Sequence, residues 1–148
     1  LDDTTGEGLC VIDLDTVMPG LALYDFGDMC RTATCPTTED ERDLSKVEMR
    51  LEMFQALVSG YLASAGAFLN AAEKAHLVFC AKLITFEMGI RFLADHLAGD
   101  IYYKIHRPGH SADRARVQFK LIESFERNEE AMHRVVAACK TGTRDYIA

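Results

Sequence analysis

The chain has 148 residues, 49% hydrophobic and 26% charged, a length and balance suited to one domain that buries roughly 68–70% of its unfolded surface. Sixteen Lys and Arg stand against 23 Asp and Glu, a net charge of -7 with no basic run, which argues against a nucleic-acid partner and against an anionic membrane surface. No apolar run reaches the ~18 residues of a membrane span, and no signal peptide opens the sequence.

The first organised stretch is residues 10–17, short, apolar and β-branched, which predicts a strand or one arm of a β-hairpin. Side chains two apart on a strand share a face, so Asp13 and Asp15 project together while Ile12 and Leu14 turn toward the core. Two carboxylates on one face repel unless a cation lies between them, and hard oxygen donors suit Mg²⁺. The competing reading is that both acids cap turns. Pro19-Gly20 breaks the strand, and Tyr24-Asp25-Phe26-Gly27-Asp28 follows closely.

After Pro36 the pattern becomes helical. Thr37 or Thr38 caps a first turn rich in Glu39, Asp40 and Glu41, where negative charge complements the helix dipole. Leu44, Val47, Leu51, Phe54, Val58 and Tyr61 recur at spacings of three and four, predicting one helix that ends at Gly66.

Asn70 and Glu73 form a capping pair for a second helix that runs to about Leu97 and is apolar nearly all round, hence central. Glu87, Arg91 and Asp95, four apart, make one charged line on it. The line is either a mutually satisfied ladder of ion pairs or the mark of Arg91 pointing into a pocket, its guanidinium held by Glu87 or Asp95.

Residues 99–111 read as a loop. Tyr102 and Tyr103 in it offer a sugar ring apolar faces and hydroxyls, or simply pack. His106 and His110 flank Pro108-Gly109, which breaks the helical spacing a metal pair needs. Ser111 caps a third helix over about 112–140, with Val117, Leu121, Phe125, Met132, Val135 and Cys139 as its stripe. Thr141-Gly142 ends it and residues 141–148 form a flexible tail. Five cysteines match neither a disulfide framework nor a zinc pattern, and a reducing cytoplasm accounts for them. The expected fold is mainly α: a short amino-terminal β-hairpin or strand, then three long packed helices.

Val11-Ile12-Asp13-Leu14-Asp15-Thr16-Val17-Met18-Pro19-Gly20 followed by Tyr24-Asp25-Phe26-Gly27-Asp28 resembles the aminoglycoside phosphotransferase-like kinases, closest to the N-acetylhexosamine 1-kinase branch. The likeness continues through Arg31, residues 39–46, residues 87–93, residues 99–105 and residues 113–121. It implies the helical part of a kinase-like carboxyl-terminal lobe, with ATP as co-substrate and a small sugar as acceptor. Asp13 would hold Mg²⁺ on the nucleotide phosphates and Asp15 would support it. Asp25 would brace the catalytic-loop backbone, Asp28 and Arg31 would be structural, and Arg91 with Tyr102 would contact the sugar.

The catalytic loop with its base, and the lobe that covers the nucleotide, are not in this sequence. They are expected before Leu1 in a longer parent, and the isolated chain is expected to be inactive and prone to self-association. Choline, homoserine or an aminoglycoside is the alternative acceptor. A non-catalytic helical interaction module is the alternative of another class.

Overall fold

The computed structural model describes residues 1–139, built from six α-helices and two short 3-10 turns, with no strand among those residues. Leu23, Phe26, Cys30 and Thr34 recur every three or four residues and are buried, which coils the first helix, α1 (Ala22–Thr34), around an inward stripe. α2 (Leu51–Ala65) buries Phe54, Val58, Leu62 and Ala65 by the same spacing. The short α3 (Ala71–Ala75) leads into α4 (Leu77–Leu97), and α5 (His110–Arg127) and α6 (Glu129–Ala138) complete the order.

α4 is the axis of the assembly. It packs mainly against α5 and α1, and also touches α3 and α6, while α2 closes on α1 and α6. Phe26, Phe54, Phe92, Phe125, Leu77, Leu121 and Met132 are fully buried. Burying each such side chain is worth roughly 1.5–3 kcal/mol. Phe26 joins α1 to α2 by an edge-on contact with Phe54 at 6.3 Å and a tilted one with Tyr61 at 5.0 Å.

The predicted amino-terminal strand is not formed. Residues 10–13 have no regular structure, Leu14–Thr16 is a 3-10 turn, and Asp13 sits in the left-handed region at φ 64°. A strand needs a neighbour for its backbone donors and acceptors, and none exists among the described residues. Ile12 and Leu14, expected in the core, are exposed.

Each of the three predicted long helices is shorter or divided. In the first, the Asp43 carboxylate accepts from the Ser45 backbone and hydroxyl at 3.2 and 2.6 Å, holding a 3-10 turn at Leu44–Lys46. The Arg50 N–H donates to the Thr34 carbonyl and the Met49 N–H to Ser124 Oγ, so Val47 and Met49 are buried in extended chain and the helix starts at Leu51.

The second begins as predicted, with Asn70 and Glu73 exchanging cap bonds of 2.9 and 2.7 Å, but it breaks at His76, whose Nδ1 lies 2.7 Å from the Ala72 carbonyl. The third breaks at Asn128, whose side-chain amide donates to the Ser124 carbonyl at 2.8 Å. It also starts one residue before Ser111, after Gly109 at φ 74°, where a residue without Cβ is favoured. The predicted end at Thr141-Gly142 and the tail over 141–148 lie outside the described residues.

Candidate functional site: the groove between α1 and α4

The Tyr24-Asp25-Phe26-Gly27-Asp28 run lies on α1, and the helix sorts it by face. Phe26 enters the core. Gly27 faces α4 so closely that a Cβ there would stand 2.5 Å from the Cys80 carbonyl oxygen and 2.6 Å from Ile84 Cγ1. Asp25 and Asp28, three apart, share a side and turn into the groove beside that contact.

The groove has a volume of about 750 Å³, and Tyr24, Asp25, Asp28 and Arg31 of α1 face Leu83, Ile84, Glu87, Met88 and Arg91 of α4 across it. Leu83, Ile84 and Met88 give it an apolar floor, and its rim is ionic. Arg31 Nε donates to Asp28 at 2.9 Å and Arg31 Nη1 to Glu39 at 2.5 Å, which fixes a guanidinium whose side chain is only 11% exposed. Arg91 Nη1 is 3.5 Å from Glu87, one turn away, with both side chains about half exposed. A pair so exposed is weakly held and leaves most guanidinium donors open to a ligand. The Asp25 carboxylate makes no hydrogen bond or ion pair among the described residues.

Arg91 also borders a second hollow of about 490 Å³, lined with Ala94, Asp95, Ala98, Ile101, Tyr102 and Tyr103. Tyr103 packs inward, 4.9 Å from Phe92, while Tyr102 stands edge-on to it at 4.8 Å and is exposed. Arg91 and Tyr102 thus share one hollow. The charged line predicted on α4 does not run its full length. Asp95 turns into the fold and accepts from the Tyr102 and Tyr103 N–H groups at 2.7 and 3.4 Å and from Ser111 Oγ at 3.0 Å. Glu87 alone pairs with Arg91.

Asp13 and Asp15 are exposed and border neither hollow. Without the strand, nothing aligns them on one face. No group of three or more His, Cys, Asp or Glu among the described residues is placed to hold a metal ion. Two carboxylates suit Mg²⁺ in kind but do not by themselves form a cage for it.

Cys30 is buried in the core and its thiol is pushed far up by burial, with Cys80 nearby adding to the effect, which leaves it inert. Cys35 instead lies 3.2 Å from Thr37 Oγ1. A separate cleft of about 550 Å³ between α2 and α6, edged by Gln55, Ser59 and Arg134, holds none of the predicted site residues.

The roles of Glu39 and Arg114 escape a reading of the sequence. Glu39, placed there in the first turn of a helix, is a hub that accepts from Arg31 and from Arg114 across the fold. The Arg114 guanidinium lies 3.9 Å over the Phe92 ring and 5.2 Å from Tyr103. Tyr24, Leu83 and Met88 carry no motif that marks them, and only the apposition of α1 and α4 brings them together. No protein-family model matches the chain. Among the described residues no helix is long and apolar enough to cross a membrane.

Proposed function

We propose that the chain is the helical, acceptor-binding part of a cytoplasmic phosphotransferase that moves the γ-phosphate of ATP to the anomeric hydroxyl of an N-acetylhexosamine. The observation that carries this reading is that the α1–α4 groove draws Asp25, Asp28, Arg31 and Arg91 together from two stretches more than fifty residues apart.

A pyranose suits such a groove, with its apolar face on Leu83, Ile84 and Met88 and its hydroxyls and acetamide toward Arg91 and the rim. Tyr102 extends the contact from the neighbouring hollow, and Arg31, locked by Asp28 and Glu39, keeps the rim in place. Asp25 is left to brace the catalytic loop. That loop, the base that takes the hydroxyl proton, and the lobe over the nucleotide belong to the longer protein, as do the further ligands that Asp13 and Asp15 need to hold Mg²⁺.

Phosphorus NMR on the longer protein, incubated with ATP, Mg²⁺ and each N-acetylhexosamine, tests the reading. A new sugar 1-phosphate signal is expected. Silence with both sugars from a folded protein that binds Mg-ATP overturns the acceptor assignment. The three carboxylates at the rim, Asp25, Asp28 and Glu87, favour a second reading in which the acceptor is cationic, such as choline or an aminoglycoside.

A further inference from the structure

α4 has a second apolar face, turned away from the core. Phe79, Phe86, Ile90, Leu93 and Leu97 are 51%, 49%, 45%, 38% and 78% exposed, and half-buried Leu83 lies in the same row. Their spacings are four, three, four, three and four. That is the a/d pattern of a coiled-coil seam, sustained over a span of roughly 27 Å at 1.5 Å per residue.

The row is also symmetric about residue 88: position 79 lies as far before it as 97 lies after, and 83 with 93 and 86 with 90 match in the same way. Two copies of α4 laid antiparallel across a two-fold axis therefore pair Phe79 with Leu97, Leu83 with Leu93 and Phe86 with Ile90, and every seam residue finds a partner. A two-fold contact demands this, since the same patch must complement itself.

Glu87 and Arg91 lie on one flank of the row, and in this register each Glu87 stands two residues along the axis from both Arg91 and Glu87 of the second copy. The 3.5 Å Glu87–Arg91 pair within each copy offsets the approach of the two carboxylates. The two helix dipoles oppose, which is favourable side by side. The five exposed residues alone offer roughly 550 Å² per copy, well over half of the ~800 Å² per partner that a specific protein pair covers, and Leu83, Glu87, Arg91 and Phe119 of α5, whose ring lies 6.3 Å from Phe86, add to it at the edges.

We infer that a second copy of this chain covers the outer face of α4, in an antiparallel pairing centred on residue 88. The pairing draws on Leu83, Glu87 and Arg91, which also border the α1–α4 groove, so a dimer narrows that groove, and the test of the pairing reads association rather than turnover.

Sedimentation equilibrium on the purified chain is expected to show a species of twice 16.5 kDa at high micromolar concentration. A monomer at every concentration up to roughly 200 µM overturns the inference. The register is tested by charge. Leu83→Glu and Leu93→Lys are each expected to weaken association at least about tenfold. The double variant L83E/L93K is expected to recover it, because antiparallel pairing sets residue 83 against residue 93 twice. Single variants that associate like the parent chain, or a double variant no better than the singles, overturn the pairing. Circular dichroism on each variant confirms that helicity is retained.

Discussion

Ser111 donates to the Asp95 carboxylate at 3.0 Å inside the fold, joining the last turns of α4 to the first turn of α5. The same carboxylate accepts from two backbone N–H groups of the intervening loop, so one side chain holds three segments. Asp95→Ala strands those donors, and the thermal midpoint is expected to fall by roughly 5 °C or more, read by circular dichroism. A midpoint equal to that of the parent chain would show that water replaces the carboxylate at no cost.

Acid should weaken the fold through this and similar groups. Burial pushes the Asp95 carboxyl up, but the hydrogen bonds from Tyr102, Ser111, Tyr103 and Ile101 outweigh it and hold its pKa below the ordinary 3.8. Asp40 behaves alike: burial raises it, and Thr38, His110 and Arg107 together bring it down. Glu129 is lowered chiefly by its hydrogen bond from Lys82. A depressed acid contributes its stability above its unfolded pKa and loses it as pH falls through the folded value. The urea midpoint is therefore expected to decline below about pH 4, and less steeply in Asp95→Asn. An unchanged slope in that variant would remove Asp95 from the account.

Gly27→Ala is expected to destabilise the chain by about 1–3 kcal/mol, because the added methyl meets the α4 backbone at Cys80 as well as Ile84 and neither helix can yield cheaply. Urea unfolding measures it. Gly60, where an added methyl would meet nothing within 4 Å, serves as the control: Gly60→Ala in the middle of α2 is expected to raise stability by roughly 0.5–1 kcal/mol.

Glu39→Gln removes the charge between Arg31 and Arg114 but keeps the shape. A loss of about 1–2 kcal/mol is expected, smaller at high salt, since both pairs are partly buried. Loss independent of salt would assign the effect to packing.

If the proposed sugar-kinase reading holds, Arg91→Ala in a longer parent protein is expected to raise KM for the sugar at least about tenfold, the scale of one charged hydrogen-bonding group. Asp13→Asn is expected to abolish turnover while leaving the melting curve unchanged, because Asp13 is exposed and holds nothing in the fold. A steady-state assay with a melting curve for each variant separates the two roles. Near-parental turnover in Asp13→Asn would end its assignment to the metal.

Local rules carry some elements and fail at others for identifiable reasons. The Asn70–Glu73 cap and the long run to Leu97 depend on neighbours in sequence, and both form. The strand over residues 10–17 depends on a partner strand that alternation cannot reveal. The breaks at His76 and Asn128 arise from side chains that bond the preceding turn, a competition invisible to apolar periodicity. α1 has a signal, in the three- and four-residue spacing of Leu23, Phe26, Cys30 and Thr34, but the same stretch also spells a motif, which hides the periodicity behind it. At the site, Arg91 stands out in the sequence as a charge on an apolar helix. That Asp95 turns inward does not, because its partners lie seven to sixteen residues later.

The missing side chain at Gly27 sets the separation of α1 and α4, and so it also sets the width of the groove between them. The same contact is both a piece of the core and a gauge on the pocket. A bulkier guest cannot be admitted by parting the helices without opening the contact of Gly27 with Cys80 and Ile84. Room can come only from trimming the floor at Leu83 or Met88, so the range of molecules this groove accepts is tunable from α4 while α1 stays fixed.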